Sequence, residues 1–259
     1  MNDIKKPLIQ VQPRYDFRDD WEALAEKEDL YYEALDFSTQ PALTEGGLFE
    51  EYREWYSSNK RTSSVHGCFI DVNPASGDPA FRDLSKRRCE ESCRTASLIG
   101  AKNVVFHSSC FPFLRGIYLD VWVKRCADFY LEMAERYKVR IFIENSMDID
   151  AGPIKALMRA VNDERVGVCL DIGHANYSSI PIRQWFEELG EWIGYIHLSD
   201  NKGVYDDHIM LGEGTIDWEE ADSLWRGLKR DTVITIEVNG VAASEAAVTF
   251  LREHGYFGM

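Results

Sequence analysis

The chain has 259 residues, with 44 acidic and 29 basic side chains and a formal net charge of −15. This acidic balance argues against a large phosphate-binding surface, since nucleic-acid-binding proteins usually present a basic face. No apolar stretch approaches the roughly 20 residues that a membrane-spanning helix needs. The length is normal for a barrel of alternating strands and helices.

The amino terminus and the cysteines indicate a cytoplasmic protein. The first residues, Met-Asn-Asp-Ile-Lys-Lys, lack the apolar core of a signal peptide. The six cysteines include no CxxC pair, and Cys89 and Cys93 have no second pair with which to hold a metal. Cys169 lies inside an apolar run, which is typical of a small buried side chain. We therefore expect reduced cysteines, a cytoplasmic location and no membrane association. A homo-oligomer is compatible with the sequence.

Short apolar runs bounded by polar or turn residues predict a series of strands. The predicted strands are Pro7–Gln12, Tyr31–Phe37, Thr62–Val65, Val104–Phe106, Arg140–Ile143, Val166–Leu170, Trp192–Ile196 and Thr232–Ile236. Several are continuous Val, Ile and Leu runs, as in a parallel sheet that is covered on both faces.

The segments between these runs predict helices. They are Asp19–Lys27, Leu48–Ser57, Pro79–Ile99, Tyr118–Tyr137, Pro153–Val161, Pro181–Leu189, Asp217–Leu228 and Ser244–His254. Asp78 before Pro79 is a typical helix start, and Gly100 is a typical helix end. Strict alternation of strands and helices predicts an α/β fold, a single (β/α)8 TIM barrel that spans residues 1–259 as one domain. A doubly wound open sheet is the alternative, disfavoured because no Gly-rich phosphate turn follows the first strand.

Most of the predicted strands stop at a histidine or a carboxylate. Val166–Leu170 stops at Asp171, and Trp192–Ile196 stops at His197. The residues at strand ends, or on the loops just after them, are His66, His107, Glu144, Asp171, His174, His197, Asp206, His208 and Glu237. Taken alone, Asp171 is equally well explained as a helix cap. Convergence of all these residues on one face of a barrel instead predicts a divalent metal site, with zinc or manganese as the expected ion.

Spaced motifs between His66 and Val238 resemble the xylose-isomerase-like TIM barrels. The motifs are H-G-C-F-I-D-V-N-P, V-V-F-H-S, I-E-N, V-C-L-D-I-G-H-A-N, Y-I-H-L-S-D-N, Y-D-D-H-I-M-L-G-E-G-T-I-D-W and I-T-I-E-V. That superfamily includes sugar-phosphate isomerases and epimerases, ketose 3-epimerases and the endonuclease IV type of apurinic-site nuclease. The first two strand–helix units match it poorly.

The resemblance implies two alternative ligand sets. In the ketose epimerases one divalent ion is held by residues that correspond here to Glu144, Asp171, His197 and Glu237. The histidine corresponding to His174 contacts substrate in that group, and we expect His66 and His107 to bind substrate as well. The endonuclease IV type holds three zinc ions, and its remaining ligands correspond to His66, His107, His174, Asp206 and His208. One to three ions are therefore compatible with the resemblance.

Two of the predicted ligands also indicate the expected reaction. Isomerising or epimerising a ketose requires the removal of a proton from carbon next to a carbonyl, which a divalent ion polarises. Glu144 and Glu237 are placed to remove that proton and to return one on the other face. We therefore predict a metal-dependent sugar or sugar-phosphate isomerase or epimerase with these two glutamates as catalytic residues. An endonuclease IV-like phosphodiesterase is the alternative, in which the same ligands clamp a phosphodiester and activate water. A barrel that only binds a metabolite is disfavoured by the intact ligand set.

Phosphate recognition has weaker support. Lys202 and Arg115 are the basic residues nearest to the predicted catalytic face, and each is a candidate for contacting a substrate phosphate, although surface Lys and Arg are common. Asp71, Asn73 and Asp78 are expected to shape the loop after the third strand rather than to bind substrate. The expected partner is a small sugar or sugar phosphate, and nucleic acid is not expected.

Overall fold

The computed structural model describes residues 7–259, so the signal-peptide prediction for residues 1–6 lies outside the described residues. Its strands close into one parallel barrel in the order β1 to β8, which confirms the predicted (β/α)8 barrel. The strands are β1 Leu8–Val11, β2 Tyr31–Ala34, β3 Thr62–His66, β4 Asn103–His107, β5 Arg140–Glu144, β6 Val166–Asp171, β7 Ile193–Leu198 and β8 Val233–Ile236.

Helices alternate with the strands in the described part of the chain. They are α1 Arg18–Glu28, α2 Gln40–Glu45, α3 Phe49–Ser58, α4 Pro79–Ile99, α5 Ile117–Tyr137, α6 Gly152–Val161, α7 Ile172–Asn176, α8 Ile182–Leu189, α9 Trp218–Arg226 and α10 Val241–His254. All the predicted helices are confirmed within a few residues. The sequence does not predict the short helices α2 and α7, and β2 ends at Ala34 rather than Phe37 because Asp36–Thr39 forms a 3-10 helix. Within residues 7–259, no helix is both long and apolar enough to cross a bilayer.

The ends of α4 follow directly from its sequence. Asp78 Oδ1 accepts a hydrogen bond from the backbone nitrogen of Phe81 at 2.9 Å, and Pro79 lies in the first turn, where no N–H is needed. Gly100 ends the helix with a φ of 79°, which lies in the left-handed region that glycine adopts without strain. In the loop before the helix, Asn73 Oδ1 accepts from the backbone nitrogen of Ala75 at 3.0 Å, as expected of a loop-shaping residue.

The barrel closes where the last strand pairs with the first. Leu8–Val11 of β1 lies parallel to Val233–Ile236 of β8, and β1 pairs on its other side with β2. Closure leaves no unpaired strand edge and brings the carboxyl ends of all parallel strands to one face. Side chains of β1 and β2 therefore lie close to the end of β8.

Three tryptophans of the helices lie in the hydrophobic core. Trp122, Trp185 and Trp225 are at most 3 % exposed. The indole nitrogens of Trp185 and Trp225 donate to the hydroxyls of Ser178 and Thr232 at 2.9 and 2.8 Å. All six cysteines are buried and none is in a disulfide bond.

The interior of the barrel contains polar side chains that bond to one another. The Tyr195 hydroxyl lies 2.7 Å from Gln10 Oε1, and Gln10 Nε2 donates to Ser64 Oγ at 2.9 Å. Asn103 Nδ2 also donates to Ser64 Oγ, at 3.1 Å. Because buried polar groups are costly unless they are bonded, a satisfied network of this kind fixes the side chains of neighbouring strands relative to one another.

Candidate metal centre

Asp171 ends β6 and also caps the short helix α7. Its Oδ1 accepts a hydrogen bond from the backbone nitrogen of His174 at 2.6 Å. Its Oδ2 is buried and has no hydrogen-bond partner. Burial raises the pKa of Asp171 to about 7, and the nearby His174 opposes that rise. The helix-cap interpretation and the ligand prediction therefore concern different oxygens of the same carboxylate.

Glu144 ends β5 and lies among four imidazoles. Its Oε1 lies 3.3 Å from Nδ1 of both His174 and His197. Its Oε2 lies 3.4 Å from Nε2 of His66 and 3.6 Å from Nε2 of His107, and it accepts no hydrogen bond. Burial would raise the pKa of Glu144, but the imidazoles, His197 foremost, hold it well below its usual value.

The ends of β7 and β8 bring His197 against Glu237. Nδ1 of His197 lies 2.8 Å from Oε2 of Glu237, which is buried and is not in hydrogen-bond geometry with any partner. The same Nδ1 lies 3.9 Å from Oδ2 of Asp171. The backbone nitrogen of Glu237 donates to the carbonyl of Leu198 at 2.9 Å, which extends the pairing of the two strands by one residue.

The residues that the resemblance assigns to one ion lie together in the structure. One ligand atom from each of Glu144, Asp171, His197 and Glu237 lies within 4.8 Å of the others. Each of the three carboxylates has a buried oxygen without a hydrogen-bond partner. Unpaired buried charge is costly, and a divalent cation satisfies carboxylate and imidazole ligands together. The residues therefore fit a divalent ion, and their role as ligands stays a prediction.

The remaining predicted site residues complete two further groups of potential ligands. The groups are His66, His107 and Glu144, and His174, Asp206 and His208. Glu144 belongs to both the first of these and the four-residue cluster. In the second, Asp206 Oδ2 lies 3.2 Å from His174 Nε2 and 3.0 Å from His208 Nε2. The structure thus brings all the sequence-predicted site residues to the carboxyl end of the barrel.

Two residues from the first two strand units contact the four-residue cluster, although the sequence analysis does not predict them as site residues. Glu33, within β2, is fully buried, and its Oε2 lies 3.1 Å from Nε2 of His197. Gln12, just after β1, donates from Nε2 to Glu237 Oε1 at 2.9 Å. The available signal for Glu33 is a single acidic residue inside Y-Y-E-A, a short buried strand.

A cavity of about 240 Å³ lies among these groups. Its lining includes the predicted site residues His66, His107, His174, Asp206, His208 and Glu237. No Lys or Arg of the described chain contributes to the lining. Lys202 instead donates to the carbonyl of Glu213, and Arg115 pairs with Asp150 at 3.0 Å. Neither candidate phosphate contact therefore lines the cavity.

Comparison with known proteins places the chain among relatives of the same architecture. The sequence model of the family described as xylose isomerase-like TIM barrel matches residues 19–254. The chain belongs to this family. It is also similar to an uncharacterised protein of Methanocaldococcus jannaschii, with 27 % identity over 202 residues that cover 73 % of this chain and 69 % of the relative. The family resemblance drawn from the sequence motifs is confirmed.

Solved structures of similar fold include two proteins whose names describe an activity or a ligand. A D-tagatose 3-epimerase-like protein aligns with a TM-score of 0.71 and 24 % identity, covering 86 % of this chain and 87 % of the other. The IOLI protein with a bound zinc atom aligns with a TM-score of 0.76 and 18 % identity, covering 98 % of this chain and all of the other. At these identities the likeness establishes the fold of the xylose isomerase-like barrel.

Proposed function

We propose that the chain is a divalent-metal-dependent isomerase or epimerase of a small, unphosphorylated keto sugar. The observation that carries the proposal is the pair Glu144 and Glu237, each of which keeps one buried oxygen without a hydrogen bond, and Glu237 also lines the small cavity. They come from the ends of β5 and β8, which lie three strands apart around the barrel. A substrate held at an ion in this cluster would meet the two carboxylates from different strands, as proton transfer on opposite faces requires.

Different side chains of the protein would bind the ion, transfer the protons and contact the sugar hydroxyls. The residues placed to hold the ion are Glu144, Asp171, His197 and Glu237. A divalent ion held there would polarise the substrate carbonyl and stabilise negative charge on its oxygen. One glutamate, ionised, removes the carbon-bound proton, and the other, protonated before the step, gives its proton to the opposite face, so that the two exchange protonation states in each turnover. The cavity-lining His66, His107 and His174 offer ring nitrogens to sugar hydroxyls. The names of the epimerase-like and zinc-bound neighbours support a sugar substrate and a zinc ion.

The lining of the cavity supports an unphosphorylated substrate. It includes the acidic side chains Asp206, Asp207 and Glu237, and no Lys or Arg from residues 7–259. A substrate phosphate would therefore meet three carboxylates and no Lys or Arg at this lining. Sugar hydroxyls, in contrast, can both donate to carboxylates and accept from imidazoles. A cavity of about 240 Å³ also suits one small molecule.

Hydrogen exchange in deuterated water tests the proposal. The metal-free protein is loaded with manganese, cobalt, magnesium or zinc and incubated with a panel of ketoses and their phosphates. We expect exchange of the proton on carbon next to the carbonyl in at least one unphosphorylated ketose, observed by nuclear magnetic resonance, and no exchange after chelation. If the metal-loaded protein exchanges no carbon-bound proton in any ketose, the isomerase proposal is wrong. Exchange confined to the phosphates would contradict the substrate class alone.

Phosphodiester hydrolysis is a second candidate because of the number of potential ligands. The three groups at the carboxyl end of the barrel suffice for more than one ion, and sites with several ions can clamp a phosphodiester. The net charge of −15 and the absence of basic residues from the described cavity lining weigh against nucleic acid. The same metal-loaded samples are therefore analysed for ions per chain and incubated with duplex DNA that carries an abasic site. Strand cleavage that is lost on chelation would favour the phosphodiesterase.

A further inference from the structure

Glu33 is a buried carboxylate whose oxygens are both occupied by hydrogen bonds. Its Oε1 accepts from Gln12 Nε2 at 3.0 Å. Its Oε2 accepts from Thr235 Oγ1 at 2.8 Å, from the Tyr195 hydroxyl, and from Nε2 of His197 at 3.1 Å. The carboxylates of the four-residue cluster each keep an unpaired oxygen, whereas Glu33 keeps none. Glu33 also falls in a group of potential ligands with His66 and His197, but because both of its oxygens are already bonded, it is placed to act on the site through its neighbours.

The bond to Glu33 determines how the His197 ring meets the cluster. A carboxylate only accepts, so the ring nitrogen that faces it, Nε2, must carry the hydrogen. The other ring nitrogen, Nδ1, then points to Glu237 at 2.8 Å and to Glu144 at 3.3 Å. A partner on the far nitrogen of a ligating histidine fixes both the orientation of the ring and the nitrogen that is left for a metal.

Gln12 holds Glu237 in a comparable way. Its side-chain nitrogen donates to Oε1 of Glu237 at 2.9 Å and to Oε1 of Glu33 at 3.0 Å. Both partners are carboxylates that only accept, so the amide must present its NH₂ group to them. With Oε1 held by Gln12, Oε2 of Glu237 remains the oxygen directed at His197.

We propose that Glu33 and Gln12 are positioning residues, which hold His197 and Glu237 in the orientation in which their free atoms converge on one divalent ion. The inference rests on the metal site of the proposed function, and it assigns a role to the two strands that match the family motifs poorly. Residues that hold a ligand from behind typically affect metal affinity by about 10- to 100-fold when they are replaced.

Glu33→Gln is the principal variant because it preserves shape and disturbs the bonding. A glutamine side chain offers one acceptor and one NH₂ group in place of two acceptors. If the oxygen of the new glutamine stays toward His197, its NH₂ group faces the NH₂ group of Gln12. Gln12 must then either turn its amide and release Glu237 or lose its hydrogen bond to residue 33. If its NH₂ group turns toward His197, two donors face each other. In either orientation one of the two ligands loses its support.

The test measures metal affinity and coordination in metal-free protein titrated with Zn²⁺ and Co²⁺. We expect Glu33→Gln to bind Zn²⁺ about 10- to 100-fold more weakly than the wild type, with altered visible absorption bands of bound Co²⁺. Gln12→Leu, which removes the support of Glu237 alone, should weaken binding in the same direction and provides a second test if Glu33→Gln does not fold. Asp36→Asn is the matched control, because Asp36 is a buried carboxylate of the same segment that bonds to Tyr15 and Tyr56 instead of the cluster. Its metal affinity should equal that of the wild type.

The outcomes separate this inference from the proposed function. Wild-type affinity and an unchanged Co²⁺ spectrum in folded Glu33→Gln and Gln12→Leu would overturn the positioning role and leave the isomerase proposal to the exchange assay. Weaker binding in both variants, in a protein that exchanges no sugar proton, would support the positioning role and overturn the isomerase. A wild-type protein that binds neither ion would overturn both.

Discussion

The two halves of the barrel contribute to its carboxyl-terminal face in different ways. The ends of β5–β8 carry Glu144, Asp171, His197 and Glu237. The strands β1–β4 and their ends carry Gln12, Glu33, His66 and His107. In the second half, each carboxylate of the cluster keeps a buried oxygen without a partner, whereas both oxygens of Glu33 in the first half are bonded. Burial alone therefore does not separate the proposed ligands from the residue proposed to hold one, whereas the unpaired carboxylate oxygens do.

Removing a proposed ligand from the second half is expected to have the largest effect, both on metal binding and on stability. We expect Asp171→Ala to abolish binding of the divalent ion, because Oδ2 of Asp171 belongs to the four-residue cluster. The variant would then lose the stability that the ion adds, about 4 kcal/mol at an ion concentration 1,000 times its Kd. Metal content after dialysis and thermal unfolding with and without Zn²⁺ measure the two effects.

Asp217→Ala is the matched control for this variant. Asp217 caps α9 with a hydrogen bond from the backbone nitrogen of Glu220 at 2.9 Å, as Asp171 caps α7, but it belongs to none of the ligand groups in the described chain. It should lose about 1 kcal/mol for the cap and bind the ion like the wild type. Unchanged metal content in Asp171→Ala would remove Asp171 from the ligand set.

Replacing either glutamate of the second half by glutamine should weaken metal binding less than it lowers turnover. Glu144→Gln and Glu237→Gln each retain an oxygen for the ion and lose a base. We expect each to lower turnover by about 100-fold or more, the usual contribution of a general base. Exchange of the substrate proton with deuterated water, followed separately for each face, should show one face still active in each variant. Glu213→Gln, on the exposed loop after β7, is the control, and wild-type turnover in both glutamate variants would contradict the two-base mechanism.

The smallest effect on stability concerns Asp148, a carboxylate with one unpaired oxygen that lies outside the ligand groups of the described residues. Its Oδ1 is buried without a partner, and burial raises its pKa to about 6, against the opposing hydrogen bond from Ser108. The folded protein therefore holds this proton more tightly than the unfolded chain does. Stability should fall as the pH rises from about 4 to about 6, by on the order of 2 kcal/mol.

Asp148→Asn should remove this part of the pH dependence. Relative to the wild type, its free energy of unfolding should increase as the pH rises through that window, and its metal affinity should not change. Urea unfolding in the presence of a chelator, from about pH 4 to about pH 7, measures the difference between the two proteins. Parallel stability curves would mean that the pKa of Asp148 is the same in the folded protein as in the unfolded chain. Lost metal binding would mean that an unpaired oxygen marks a ligand even outside the cluster.

Much of the fold could be predicted because buried parallel strands are continuous apolar runs. Val166–Leu170 and Trp192–Ile196 are such runs, and each stops at a polar residue where the strand ends. The helix Ile172–Asn176 could not be predicted in this way, because five residues are too few to show a helical period. Its cap depends on Asp171, which the sequence also offers as a ligand.

The site was predictable where it lies at strand ends and not where it lies within a strand. His107 and Glu144 could be recognised because each ends an apolar run. Glu33 lies inside β2, a strand of four residues, and its partner His197 is 164 positions away in the sequence. A pairing over that distance has no local signal. The division of the predicted residues into three groups likewise depends on side-chain directions that a strand boundary does not reveal.

The pairing of β8 with β1 also has a consequence for the order of events during synthesis. Gln12 and Glu237, which bond to each other at the site, are 225 positions apart in the chain. A growing chain that has not yet released β8 from the ribosome lacks Glu237 and cannot form the four-residue cluster. Long-range closure of this kind is a slow part of folding. An ion at the four-residue cluster should therefore bind late in folding, and it should stabilise complete chains but not incomplete ones. Metal binding would then indicate that the barrel has closed.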